Sequence, residues 1–167
     1  ILIGETQGHL GQSIYLREIE GKEEGGAPPV DLAAEKKHGD FVRRLIEQGR
    51  VDTVHDLSDG GLLVAVAEMA LKGNIGADIG QAALAYAIPF FFGEDQARYL
   101  IAAPFAEAEK IVQEARDAYI PVTELGKTGG DAITVNDKDR VTLAKLRAAH
   151  EGWFPRFMGR EEIPLTN

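Results

Sequence analysis

Apolar residues follow two patterns along this chain: short runs rich in β-branched residues, and longer stretches with helical spacing. The short runs predict strands and the spaced stretches predict helices, each bounded by glycine, proline or a capping residue. The predicted strands are Ile1 to Thr6, Ser13 to Ile19, Val51 to Val54, Ile75 to Ile79, Arg98 to Ala103, Pro121 to Gly126 and Ala132 to Val135. The predicted helices are Asp31 to about Gln48, Gly60 to Gly73, Glu107 to Tyr119 and Thr142 to His150, with a partly helical stretch from Ala82 to Phe92.

Two of these helices carry clear boundary or burial signals. Asp31 is placed to cap the first helix and Gly49 to end it, with Leu32, Phe41, Leu45 and Ile46 expected on its buried face. The second helix is apolar almost all round, which predicts that it is largely buried. Strands and long helices do not alternate strictly, so the pattern favours an α+β fold with a mixed β-sheet packed with helices over a doubly wound sheet.

Composition narrows the class of protein. The chain has 167 residues, 44% of them apolar, which is enough for one core, and we expect a single domain with a C-terminal tail at 151–167. There is no cysteine, so a disulfide framework or a thiolate metal site is excluded. No apolar run reaches membrane-spanning length, and a formal charge of −9 argues against a nucleic-acid partner. The chain begins with Ile1 and a strand pattern, so we expect it to be part of a longer protein.

The segment from His55 to Leu62 is the strongest candidate for chemistry. A short strand runs into Asp56, Ser58 and Asp59, then into Gly60 and Gly61 at the start of the apolar helix. Glycines let backbone approach a ligand, the helix N-terminus favours phosphate, and carboxylates can hold Mg²⁺. The simplest alternative is a turn capped by Ser58 or Asp59.

A second polar segment, Glu94-Asp95-Gln96, stands between an apolar stretch and the strand that begins with Arg98. By composition alone it is a polar start of a strand. Other motifs are weaker. Gly126-Lys127-Thr128 lacks the preceding glycine of a phosphate-binding loop, because position 121 is proline. The four histidines lack zinc spacing, and we expect Trp153 to pack the C-terminus against the core.

Four blocks of the sequence resemble the C-terminal domain of the large subunit of the phosphoribosylformylglycinamidine synthase family. The blocks are Gly4-Glu5-Thr6 with Leu10 to Tyr15, Asp31 to Gly49, His55 to Met69, and Phe92 to Arg98, with a closing Trp153-Phe154-Pro155. Gln12 departs from the pattern, because the family commonly has a second glycine there. The resemblance implies an α+β, aminoimidazole ribonucleotide synthetase-like C-terminal domain that is partly ferredoxin-like.

The resemblance also implies site residues. The domain type occurs twice in the full-length enzyme, and this chain resembles the second copy. Asp56 matches the metal-binding aspartate of the catalytic copy. An auxiliary nucleotide or substrate site would then comprise Ser58, Gly60, Gly61, Glu94 and Gln96. Asp95 stands where the catalytic copy has serine, and its charge would repel a substrate phosphate. The resemblance therefore implies that this copy has lost catalysis.

For the whole enzyme, the resemblance implies an ATP-dependent carbon–nitrogen ligase of purine biosynthesis in the cytoplasm. It would convert formylglycinamide ribonucleotide, ATP and ammonia to formylglycinamidine ribonucleotide, ADP and phosphate, with Mg²⁺ as cofactor. The implied partners are the N-terminal domains of the same polypeptide, a glutaminase subunit that supplies ammonia, and a small bridging subunit. The general-base histidine lies in the N-terminal part, so no catalytic residue is expected in this chain.

Two alternatives remain open at this point. One is a domain of a related ATP-using enzyme of the aminoimidazole ribonucleotide synthetase or selenophosphate synthetase type. The other is a freestanding nucleotide-binding module.

Overall fold

The computed structural model describes residues 1–80 and 86–159 of the chain. The described chain divides into two compact units, and it passes from one to the other after Val66, after Gly80 and after Gly126. Unit 1 comprises residues 1–66 and 86–126, and unit 2 comprises residues 67–80 and 127–159. The single domain predicted above for the whole chain stays a prediction.

Helices and strands are interspersed along the chain, as the α+β prediction requires. The strands are β1 Leu2–Ile3, β2 Thr53–Asp56, β3 Ala77–Ile79, β4 Tyr99–Ala102, β5 Val122–Thr123, β6 Gly126–Thr128, β7 Ala132–Val135 and β8 Asp139–Thr142. The helices are α1 Ile14–Glu18, α2 Leu32–Glu47, α3 Gly61–Gly73, α4 Ala87–Phe92, α5 Phe105–Asp117 and α6 Leu143–Phe157. Among the described residues, no helix combines the length and apolar character needed to cross a membrane.

Unit 1 is built on a four-stranded antiparallel sheet in the order β2-β4-β1-β5. Its central strand β1 pairs Leu2 with Leu100 on one side and Ile3 with Val122 on the other. Helices α2 and α5 and the strands each contribute apolar side chains to one core. The core residues are Ile3, Phe41, Val42, Leu45, Val51, Ile101, Ile111, Ala115 and Ile120.

Helix α2 begins and ends where the sequence predicts. The Asp31 carboxylate accepts hydrogen bonds from the backbone N–H groups of Ala33 and Ala34, and Gly49 follows the C-cap residue with a positive φ of 65°. Its buried face differs in part from the prediction. Phe41 and Leu45 are buried as expected, whereas Leu32 and Ile46 are exposed.

Unit 2 holds a second four-stranded sheet in the order β6-β3-β7-β8. Strands β3 and β7 are parallel and β7 and β8 are antiparallel, so this sheet is mixed. Helix α6 follows β8 directly, capped by the Thr142 hydroxyl, which accepts from the Lys145 N–H. The fold is therefore α+β as predicted, with two sheets in place of one.

Three local predictions are wrong. Ser13 to Ile19 was predicted as a strand but is helix α1, because the Ser13 hydroxyl caps it by accepting from the Leu16 N–H. The last helix was predicted to end at His150 but continues through Pro155 to Phe157. Trp153 lies on this extension and is exposed, so it does not pack the C-terminus against the core.

Other predictions touch undescribed residues. The predicted helical stretch from Ala82 is described only from Tyr86 onward, where it contains α4, and residues 160–167 of the predicted tail lie outside the described residues. Helix α3 matches its prediction closely. Leu62, Ala65, Val66 and Ala70 are buried, and Glu68 and Lys72 are exposed.

Candidate functional site

The segment from Gly93 to Arg98 forms the polar centre of unit 1. Arg98 is 1% exposed, and its guanidinium donates to the carbonyls of Asp95 (2.9 Å) and Gly93 (2.6 Å) and to the Thr6 hydroxyl (3.2 Å). Burial lowers the pKa of Arg98, and the nearby charges of Asp95 and Glu94 oppose that shift. The buried cation thus holds its own segment in a tight turn at the start of β4.

Asp95 connects this turn to the segment that follows β1. Its two carboxylate oxygens accept from the backbone N–H groups of Gly8 (2.9 Å) and His9 (3.1 Å), and the neighbouring Glu94 N–H donates to the His9 carbonyl (2.9 Å). Charge-assisted bonds of this kind are stronger than neutral ones. The carboxylate that the resemblance treats as a departure from serine therefore fixes backbone that lies 86 to 87 positions away in sequence.

Glu94 binds backbone from two further places. One oxygen of its carboxylate accepts both from the Ile14 N–H and from the Gly60 N–H, each at 2.8 Å, and Glu94 is only 9% exposed. Ile14 is the first residue of α1, and Gly60 immediately precedes α3. One carboxylate thus satisfies N–H groups at the starts of two helices, where backbone donors lack helical partners.

Ala97 occupies a strained backbone conformation beside Arg98. Its φ is 58°, a left-handed value that residues with a Cβ seldom adopt. Two side chains of α2 hold it from both sides: the Ala97 N–H donates to Glu35 and its carbonyl accepts from His38 Nδ1, each at 2.8 Å. Strain of this kind persists only where surrounding contacts hold it. Gln96, the residue before it, is exposed.

Two glycine positions around this centre leave no room for a Cβ. Gly61 has a φ of 70°, and a Cβ there would lie 2.6 Å from the Gly93 carbonyl oxygen. Gly8 has a φ of 79°, and a Cβ there would lie 2.5 Å from the Pro89 side chain. Both positions therefore exclude any residue with a side chain unless the backbone moves.

The turn that follows Gly8 carries the loop between α1 and α2. The Gly26 carbonyl accepts from His9 Nε2 (2.8 Å), and the Gln12 side-chain amide donates to the Gly25 carbonyl (3.0 Å). Gln12 has a φ of 58°, which is the conformation that glycine adopts without penalty. Gln12 therefore takes the left-handed conformation at a cost that glycine would not have, and its side chain gains a bond to the loop.

Asp56 and Ser58 lie differently from Glu94. Asp56 ends the edge strand β2, opposite Tyr99, and its side chain is 71% exposed. Burial raises the pKa of Tyr99, and the charges of Glu35 and Asp56 raise it further. Ser58 is also exposed, and its carbonyl accepts from the Gly61 N–H. The structure thus places Asp56, Ser58 and Gln96 at the surface and Glu94, Gly60 and Gly61 inside.

A family model matches residues 1–138, described as the C-terminal domain of AIR synthase related proteins. The chain belongs to this family. Curated relatives include the phosphoribosylformylglycinamidine synthase subunit PurL of several bacteria. The protein from Parvibaculum lavamentivorans is 53% identical over 95% of this chain, and that from Bradyrhizobium diazoefficiens is 52% identical over 95%. The chain spans 22% of the length of each.

Solved structures support the AIR synthase related fold. PurL of Thermotoga maritima complexed with FGAR matches with a TM-score of 0.70 and 23% identity, over 87% of this chain and 27% of that one. The same protein complexed with ATP matches with a TM-score of 0.68 and 20% identity, over 99% and 27%. A thiamine-monophosphate kinase from Stenotrophomonas maltophilia also matches, at 0.53 and 18%, over 81% of this chain and 49% of that one.

A magnesium site on this AIR synthase related domain can be tested against the donors present. Mg²⁺ needs several oxygen ligands in near-octahedral geometry. Within residues 1–80 and 86–159, no group of three or more His, Asp or Glu side chains is arranged to hold a metal ion. Both oxygens of Asp95 and one of Glu94 already accept backbone N–H groups. The described residues alone do not fit Mg²⁺, and the role predicted for Asp56 stays a prediction.

The residues of this centre with the most hydrogen bonds were not among the predicted site residues. Arg98 was noted only as part of a strand, and Asp95 only as a charge that disfavours phosphate. A signal was available, because an acid and an arginine three residues apart stand between two apolar stretches and are therefore expected to be drawn inside together.

Proposed function

We propose that this chain is the C-terminal domain of an ATP-dependent synthase of purine biosynthesis. The whole enzyme would convert formylglycinamide ribonucleotide, ATP and ammonia from glutamine to formylglycinamidine ribonucleotide, ADP and phosphate. ATP would phosphorylate the amide oxygen, and ammonia would then displace phosphate. The observation that carries the proposal is the 53% identity, over 95% of this chain, to a phosphoribosylformylglycinamidine synthase subunit.

The role proposed for the domain itself is structural support of the catalytic part. The charged side chains of the Gly93–Arg98 segment, Arg98, Asp95 and Glu94, all bind backbone of this same unit. A site committed so fully to internal hydrogen bonds has few groups left for a substrate. We therefore expect no synthase activity from residues 1–167 alone.

An auxiliary nucleotide site remains part of the proposal, in a reduced form. Of the five residues predicted for it, Ser58 and Gln96 are exposed, as is the predicted metal ligand Asp56, and these side chains could contact phosphate, ribose or a phosphate-bound Mg²⁺. Glu94 and Gly60 satisfy each other, and Gly61 supports close packing. Any Mg²⁺ at Asp56 would take its remaining ligands from a nucleotide or from other parts of the whole enzyme.

The proposed setting is cytoplasmic, and the proposed partners are the N-terminal domains of the same polypeptide, a glutaminase subunit and a small bridging subunit. The structure of PurLQS from Thermotoga maritima shares this fold, with a TM-score of 0.65. Its name is consistent with assembly of that protein from several subunits. We propose neither a nucleic-acid nor a membrane partner.

The test compares the full-length polypeptide with residues 1–167. With ATP, Mg²⁺, formylglycinamide ribonucleotide and an ammonium salt, the full-length protein should release ADP and form the amidine. The isolated chain should be folded, as measured by cooperative thermal unfolding, and should form none. Amidine formation by the isolated chain, or its absence from the full-length protein, would contradict the proposal.

A second candidate is a related ATP-using enzyme, because the thiamine-monophosphate kinase likeness shows that this fold is shared beyond the synthases. We rank it lower, since that likeness is at 18% identity and concerns the fold alone. Phosphorylation of a different small molecule by the full-length protein, with no amidine formed, would favour it. A native polypeptide of only this size would instead favour a freestanding module.

A further inference from the structure

The second half of helix α6 carries a row of exposed apolar side chains, which we call the apolar stripe. Its members are Trp153, Phe154, Phe157 and Met158, exposed by 58%, 61%, 71% and 56%. They form two pairs four residues apart, so they share one side of the helix. The rings of Trp153 and Phe157 are stacked, with centroids 5.1 Å apart and planes 10° apart.

The stripe belongs to a helix that is anchored at its other end. Leu143 is buried, the Thr142 hydroxyl caps the first turn, and Arg147 donates to the Leu71 carbonyl at 3.0 Å within unit 2. Hydrogen bonding continues to the end, where the Met158 N–H donates to the Phe154 carbonyl at 3.0 Å. The exposed side chains thus lie on hydrogen-bonded helix on either side of Pro155, which itself has no N–H to donate.

The exposed apolar area of the stripe is comparable to the largest patch on a typical monomer. Three aromatic side chains of 150–250 Å² each, exposed by about two thirds, leave roughly 300–500 Å² of aromatic surface in contact with water. The largest apolar patch on a typical monomer is about 300–600 Å², and a patch of that size is often functional. A tryptophan in such a row is also a typical centre of an interface.

The size of the stripe distinguishes between possible occupants. A stable interface between separate chains needs about 800 Å² from each partner, which exceeds what the stripe offers. A tethered segment needs less, because its effective concentration is on the order of millimolar. The curated relatives are much longer than this chain, which spans only 22% of them.

We propose that the apolar stripe docks onto another part of the same, longer polypeptide, outside residues 1–167. This rests on the proposed function, which makes the chain one domain of a larger enzyme. The complementary surface would be apolar, with an oxygen acceptor for the indole N–H of Trp153, because a buried indole N–H generally finds a partner. Met158 would fit an irregular edge of that surface.

Hydroxyl-radical footprinting of the full-length polypeptide tests this directly, with oxidation read by mass spectrometry for each side chain. Protection is the rate in urea divided by the rate in the native protein. A side chain that remains 58–71% exposed should be protected less than about twofold. We expect at least about fivefold protection of Trp153 and Phe157. Phe41, which is 2% exposed, serves as the control for folding.

The remaining outcomes separate the other occupants. The footprinting is carried out without partner subunits and is repeated with the full-length polypeptide at about tenfold higher concentration. Protection that develops only at high concentration would overturn the proposal in favour of a second copy. Protection that needs the glutaminase or bridging subunit would overturn it in favour of those chains. Less than about twofold protection under all conditions would show that the stripe faces solvent.

A paired substitution provides a second measurement. Phe154→Ser with Phe157→Ser should lower the melting temperature of the full-length protein by several degrees, whereas Phe105→Ser, at a residue 78% exposed in unit 1, should change it by about a degree or less. Equal small shifts would count against docking. Amidine formation by the same preparation tests the proposed function separately, since protection and activity can be lost independently.

Discussion

Two carboxylates of unit 1 that the family resemblance assigns to one site have opposite surroundings. Glu94 is 9% exposed and accepts two backbone N–H groups, whereas the side chain of Asp56 is 71% exposed at the end of an edge strand. A buried carboxylate must have partners to remain charged, and an exposed one is solvated by water. Likeness of sequence at two positions therefore does not imply a common role. Glu94 binds backbone inside the unit, whereas the Asp56 side chain is exposed to solvent and to any ligand.

The largest effect should come from Arg98, which supports the turn that carries Glu94. Replacing Arg98 by Met removes three donors from buried oxygens and leaves Asp95 without its nearby cation. We expect a loss of about 3–5 kcal/mol in the free energy of unfolding, measured with urea. Arg17→Met, at an exposed residue, is the control and should cost little. A loss below about 1 kcal/mol for Arg98→Met would show that the hydrogen bonds of Arg98 and its pairing with Asp95 contribute little to stability.

Glu94 itself should come next. Glu94→Ala leaves the N–H groups of Ile14 and Gly60 without their acceptor, at a cost of about 2–3 kcal/mol. Glu94→Gln keeps an oxygen that can accept both bonds, so it should restore most of the lost stability. If the two variants were equally unstable, the negative charge rather than the hydrogen bonds would be the main contribution of Glu94.

Glu107 and Glu114 differ from both of these carboxylates because each is paired with Arg50, and the contribution of the pairs to stability should depend on pH. Hydrogen bonds from Arg50 lower the pKa values of Glu107 and Glu114 below their usual range. A lowered folded-state pKa gives stability that is full above the unfolded value of about 4.5 and is lost as the pH falls through the folded value. The melting-temperature difference between the parent and Arg50→Gln should therefore be constant above about pH 5 and shrink below it. A difference independent of pH down to about pH 3 would contradict this account.

The smallest effect on stability should be that of Asp56. Asp56→Asn keeps the shape of an exposed side chain, and the free energy of unfolding should change by less than about 0.5 kcal/mol. In the full-length protein we expect weaker retention of nucleotide with Mg²⁺, measured by equilibrium dialysis, and nearly unchanged amidine formation. Asp52→Asn, at another exposed acid, is the matched control. Unchanged retention would leave Asp56 without a ligand role.

Local signals in the sequence were enough for much of the fold but not for α1. Asp31 and Gly49 define α2 because caps act over a few residues. The stretch from Ser13 to Ile19 is too short for periodicity to separate strand from helix. Its helical form is supported by distant contacts, since the Ile14 N–H donates to Glu94 and the Tyr15 ring packs 5.1 Å from that of Phe92.

The candidate site was predictable as a set of segments but not as a geometry. The blocks around Gly8, Gly60 and Glu94 were each identified, and the structure brings them together. Which side chains face inward depends on hydrogen bonds between positions 34 to 87 residues apart, and no local rule encodes those. The spacing of Asp95 and Arg98 between two apolar stretches indicates that both are buried, but it does not indicate that they bind Gly8, His9 and Thr6.

The central position of β1 has a consequence for how unit 1 forms. This strand contains residues 2 and 3, yet its partners are Leu100 on one side and Val122 on the other. During synthesis β1 is made before both of these partners: β4 follows about 100 residues later and β5 about 120. Contacts so distant in sequence slow folding, so we expect unit 1 to refold in milliseconds to seconds, with closure of its sheet as the late event.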